Sequence, residues 1–152
     1  MGSAYFYHLT RHPVDVTLAM LLGRAGEAGW RVAVRGTDPD RLRWLDEKLW
    51  AGQAADFLPH GLAGGTHDMN QPILLTTSVE AANTPQCVMC VDGADITAAE
   101  ITALDRVCVL FDGNDDEALN AARAQWKTLK DEGASAQYWS QADGRWEKKA
   151  EM

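Results

Sequence analysis

"RVCVLFDGNDDEALNAARAQWKTLKDEGASAQYW", residues 106 to 139, carries the pattern that decides the fold. It opens on RVCVLF (106–111), an apolar run without polar alternation. Such a run fits a strand buried on both faces, as in a parallel sheet. DDEALNAARAQWKTLKDEG (115–133) then reads as a helix. Its first turn is acidic, Lys127 and Lys130 stand near its end, and Gly133 takes the C′ position. AQYW (136–139) reads as a further strand. The same alternation runs through the rest of the chain. AYFYHL (4–9) and WRVAV (30–34) read as strands, the first of aromatic character. PVDVTLAMLLGRAGEAG (13–29) reads as a helix starting at Pro13, with Val16, Ala19, Met20, Leu22 and Gly23 on one face. TDPDRLRWLDEKLW (37–50) has Asp38 as N-cap, Pro39 at the first helical position and Leu42, Leu45 and Leu49 as its core stripe. PILLTT (72–77) and QCVMCV (86–91) are two more buried runs. Strands alternating with helices predict one α/β domain over residues 1–152, a three-layer sandwich around a mainly parallel sheet.

At 152 residues the chain is one domain long, and it buries enough surface to need no disulfide or metal staple. Three cysteines without framework spacing point to a reducing cytoplasm. No run reaches the length of a membrane span, and MGSAYFYHLT lacks the pattern of a secretory signal. The net charge of −8 argues against direct, strong binding to nucleic acid or an anionic membrane. The charge is uneven, however. Residues 49–122 hold one base, Arg106, against eleven acids, whereas residues 123–152 hold six bases against five acids. A basic patch on an acidic body is expected near the C-terminus.

Sites of catalysis are not apparent. There is no phosphate-binding loop, and GLAGG (61–65) lacks the lysine and the preceding strand that such a loop needs. Cys87 and Cys90 form a C-x-x-C inside an apparent strand, where i and i+3 face opposite ways; they and Cys108 read as buried apolar residues. His8 with His12, and His60 with His67, lack the further ligands of a metal site. Ser3, Ser78, Ser135 and Ser140 lack a nucleophile elbow. Glu100 with Asp105 is a conceivable carboxylate pair, while Asp112, Asp115, Asp116 and Glu117 suit a helix start. No cofactor, no metal and no catalytic residue are expected.

The helix 115–133 is more informative. Ala118, Ala122 and Leu129 fall on a face that should be core, and Arg123, Lys127 and Lys130 cluster roughly 110° away, at about 100° per residue. Trp126 and Leu119 lie between them. A tryptophan on such a seam is either a core-edge residue or an anchor for a partner that is both apolar and acidic. A second apolar feature is the stretch LDEKLWAGQAADFLPHGLAGG (45–65), a helix end running into a loop with Trp50, Phe57, Leu58, Pro59 and His60.

LDEKLW (45–50) followed by FLPHGLAGG (57–65) resembles the chi subunit of bacterial DNA polymerase III. AYFYHL is similar to that family's first strand, and YWSQADGRWEKKA (138–150) is similar to its tail. The resemblance implies a Rossmann-like α/β fold lacking a nucleotide-binding loop. It also implies a non-catalytic accessory subunit of the clamp-loader assembly, located in the cytoplasm at the replisome and meeting DNA only indirectly. Two partners follow from it. The psi subunit, or another clamp-loader subunit, would meet Trp50, Phe57, Leu58 and Pro59. The acidic, phenylalanine-terminated tail of single-stranded DNA-binding protein would meet Arg123, Trp126 and Lys127, with Gln141 and Gly144 lining the pocket. Leu119 stands where some relatives carry a lysine. Two other readings compete: an adaptor for a repair helicase that uses the same apolar surface, and a small α/β enzyme, nucleotide-dependent or hydrolytic.

Overall fold

A computed structural model describes residues 2–10, 13–51, 60–142 and 145–152. Eight strands form one sheet: β1 (Ser3–Leu9), β2 (Val32–Arg35), β3 (Gly61–Leu62), β4 (Ile73–Thr76), β5 (Cys87–Cys90), β6 (Arg106–Asp112), β7 (Ala136–Ala142) and β8 (Arg145–Glu151). Their spatial order is β3-β4-β2-β5-β6-β1-β7-β8. Every neighbouring pair is parallel except β7 with β8. Four helices cover the sheet: α1 (Val14–Glu27), α2 (Pro39–Ala51), α3 (Ala98–Ala103) and α4 (Asp116–Asp131). The arrangement is the expected three-layer α/β sandwich.

The strands β2, β4 and β5 are buried at every position, which is why their sequences do not alternate. On one face α1 and α2 pack Leu18, Leu22, Leu42, Leu45 and Leu49 against Val34, Leu75, Met89 and Leu110. On the other, α3 and α4 pack Ile101, Ala122 and Leu129 against Phe6, Val88, Val107 and Val109. The face expected for α1 is corrected. Its buried residues are Thr17, Leu18, Leu21, Leu22 and Ala25, whereas Val16 and Met20 are exposed. The apolar residues on α1 exceed what one face holds, so composition alone did not fix its rotation.

Local signals set the helix starts. Asp38 Oδ1 accepts from the Asp40 amide 2.9 Å away, and Asp115 caps α4 through the amides of Glu117 and Ala118. Helix α3 was not anticipated. It carries a capping box, Thr97 with Glu100, readable in the sequence as T-x-x-E. Glu100 is not paired with Asp105: it binds Arg35 at 2.6 Å, and Arg35 also donates to the carbonyls of Asp95 and Val79. This ties the end of β2 to α3. Burial pushes the Glu100 carboxyl up, but hydrogen bonds and charge from Arg35, with help from Thr97, leave it below the ordinary range.

Candidate partner-binding sites

Helix α4 lies over the strands that end the chain. Beneath it, β1 supplies Phe6 and His8, β6 supplies Phe111 and β7 supplies Tyr138. The Trp126 ring meets Phe6 edge-on at 5.3 Å and 88°, and meets Tyr138 at 5.7 Å and 89°. Phe6 and Tyr138 are stacked, with centroids 6.3 Å apart. Trp126 is therefore a core-edge residue, half-buried over β1 and β7. One turn towards the helix start stands Arg123, whose positive charge favours the ionised form of the Tyr138 phenol. His8 Nδ1 lies 2.9 Å from the Tyr138 hydroxyl. Burial raises the Tyr138 phenol above its usual range, against the opposing pull of Arg123. Arg123, Lys127 and Lys130 are all exposed, so the wall of aromatic edges is bordered by cations. Such an arrangement suits a ligand that combines an aromatic ring with carboxylates.

Of the other residues expected here, Gln141 is buried. Its side-chain oxygen accepts from the Thr10 amide and its carbonyl from the Thr10 hydroxyl, 2.7 Å away. It pairs across the hairpin with Trp146, which packs against Tyr7 on the α1 face. Gln141 thus secures the end of β1 from behind, on the opposite face from Tyr138. Gly144 lies outside the described residues. Tyr138, His8 and Phe111 were not singled out as pocket residues in the sequence. Only the strand order brings them to Arg123.

The second surface is the end of α2. Trp50 is 44% exposed and lies over the His60 ring at 4.2 Å. His60 is buried, with Nε2 3.2 Å from the carbonyl oxygen and from a side-chain oxygen of Asp46. The returning chain is thereby fastened to α2. Phe57, Leu58 and Pro59 lie outside the described residues. Further back on the same helix, Trp44 is flanked by Arg41 and Lys48, 4.4 and 5.6 Å from its ring.

A crevice of about 750 Å³ opens beyond the carboxyl ends of β1, β5 and β6, where α/β sheets usually hold ligands. Here its walls carry Asp15, Asp92, Asp112, Asp115 and Glu117 with Arg41, which itself pairs with Asp92. Such walls repel a phosphate. Cys87 and Cys90 face opposite core layers, as their spacing in a strand requires. Burial pushes the Cys90 thiol up to about 12, and the neighbouring Cys87 together with burial raises Cys108 well above the thiol range. A raised thiol is a poor nucleophile. Among the described residues no cluster of three His, Cys, Asp or Glu side chains is placed to hold a metal ion. None of the described helices is long and apolar enough to cross a membrane.

The fold is thus an α/β domain whose crevice at the strand ends is walled by acids and is not a phosphate cradle. Residues 1–137 match the family described as DNA polymerase III chi subunit, HolC, and the chain belongs to that family. Membership makes it an accessory subunit of DNA polymerase III. Comparison with curated proteins gives no match.

Proposed function

We propose that this chi-family chain is a non-catalytic bridge within the replication machinery. Its α4 pocket takes the acidic, phenylalanine-terminated tail of single-stranded DNA-binding protein. Trp50 at the end of α2, together with Phe57, Leu58 and Pro59 further along the sequence, takes the psi subunit or another clamp-loader subunit. The observation that carries the reading is the exposed Arg123 one turn along α4 from Trp126, whose ring stands edge-on to Tyr138. The tail's terminal carboxylate meets Arg123, its ring lies against the Trp126–Tyr138 wall, and its aspartates meet Lys127. Basic residues around a small apolar seat speed encounter, and the seat sets residence. The net charge of −8 does not oppose this, because the cations are local to α4.

The test is calorimetric titration with a peptide copying that tail. Arg123→Ala removes one partner of a charge-assisted contact and should weaken binding about 10- to 100-fold. Lys127→Glu should weaken it about threefold and lower its salt sensitivity. Peptide binding unchanged by both substitutions contradicts the assignment of the site.

A further inference from the structure

His8 is seated with unusual care for a residue at a strand end. Gly113, just after β6, faces it so closely that a Cβ there would fall on His8 Cδ2 and Nε2. The φ of Gly113 is not positive, so the close approach of the ring, and not backbone conformation, requires glycine. The Gly113 amide donates to the Leu9 carbonyl at 2.7 Å, which holds the two segments together. The imidazole lies against Phe111 at 5.3 Å and edge-on to Tyr138 at 5.9 Å. His8 Nδ1 shares a hydrogen bond with the Tyr138 hydroxyl at 2.9 Å, and the neutral ring can take either role in it.

We infer that His8 is a binding residue of the α4 pocket: once protonated it adds a second positive charge at the Arg123 end, so capture of an acidic peptide takes up a proton. This rests on the tail reading above. Among the described residues, the charged and titratable groups facing His8 are Arg123 from α4, Asp112 from the end of β6 and Tyr138 from β7. Burial, then the Arg123 charge, hold His8 below the ordinary imidazole range, while Asp112 works the other way. In the free protein the ring is therefore neutral at pH 7. An incoming carboxylate offsets the Arg123 charge and favours imidazolium, whose Nδ1–H then donates to the Tyr138 oxygen. The sign follows: the peptide binds more tightly as pH falls from about 7.5 to 5.5, a range in which its own carboxylates stay ionised.

The experiment is calorimetric titration of the whole chain with an acidic, phenylalanine-terminated peptide at pH 5.5, 6.5, 7.5 and 8.0. NMR titration of the His8 ring, with and without peptide, accompanies it. Wild type should bind about three- to tenfold more tightly at pH 5.5 than at pH 8.0, with the His8 titration midpoint moving up in the complex. His8→Gln should flatten that ratio to about one. Gly113→Ala, which crowds the ring out of its seat, should flatten it too. His67→Gln, at an exposed residue beside the opposite sheet edge, should leave the ratio as in wild type. Binding of equal strength at every pH, or a His8 midpoint unmoved by peptide, overturns the role of His8 while the tail reading stands. No binding at any pH overturns both.

Discussion

Two tryptophans, Trp126 and Trp50, mark the two proposed partner surfaces, and the fold treats them differently. Trp126 is half-buried, its ring edge-on to Phe6 and Tyr138 in the layer beneath α4. Trp50 is 44% exposed and lies on His60 at the end of α2. The first is packed into the core, so its position is fixed before anything binds. The second offers exposed apolar area that, on the proposed reading, a partner covers. Preorganisation lowers the ordering cost of binding a short peptide, which has little area to offer. A larger subunit gains enough from burial to manage without it.

The sharpest way to break this comparison is to truncate both rings. Trp126→Ala should lower stability by about 3 kcal/mol, because Phe6 and Tyr138 lose a packed neighbour, and should abolish peptide binding as well. Trp50→Ala should change stability by less than about 1 kcal/mol yet remove binding to the clamp-loader partner. Urea unfolding followed by pull-down on the refolded proteins reads both. Equal stability losses at the two positions would show that the surfaces do not differ in kind.

Two arginines sharpen it further. Arg35 is buried and paired with Glu100, whereas Arg123 stands exposed on the surface of α4. Glu100→Ala strands a buried guanidinium and should cost about 3 kcal/mol. The Glu100 carboxyl is held below its ordinary range, so its contribution is complete above about pH 4.5 and is lost as pH falls through its lowered value. Urea midpoints between pH 3 and 7 should show wild type and Glu100→Ala converging at the acid end. Arg123→Ala, by contrast, should change stability by less than about 1 kcal/mol at any pH while weakening the peptide complex.

The body of the fold was legible in the residues because its signals are local. Buried runs such as PILLTT and QCVMCV read as strands, and Asp38-Pro39 and Gly133 marked helix ends. Three elements were not anticipated. The strand β8, RWEKKAE, is a charged sheet edge and so has no apolar run to betray it. The helix α3 has only six residues, too few for periodicity, and its Thr97–Glu100 box was the one available sign. The strand β3 has two residues. In the proposed site, Arg123, Trp126 and Lys127 stand together in the sequence pattern because one helix carries them at i, i+3 and i+4. Tyr138, His8 and Phe111 lie on strands far apart in sequence, and their meeting depends on β1 being inserted between β6 and β7. No spacing in the chain encodes that insertion.

The central claim is that α4 holds an acidic, phenylalanine-terminated peptide through Arg123. It is tested most directly by titrating wild type and Arg123→Ala with such a peptide at low ionic strength, alongside a peptide lacking the terminal phenylalanine. The account predicts saturable, salt-sensitive binding to wild type that falls at least about tenfold on either change. No saturable binding to wild type, or equal binding by both proteins and both peptides, would contradict it.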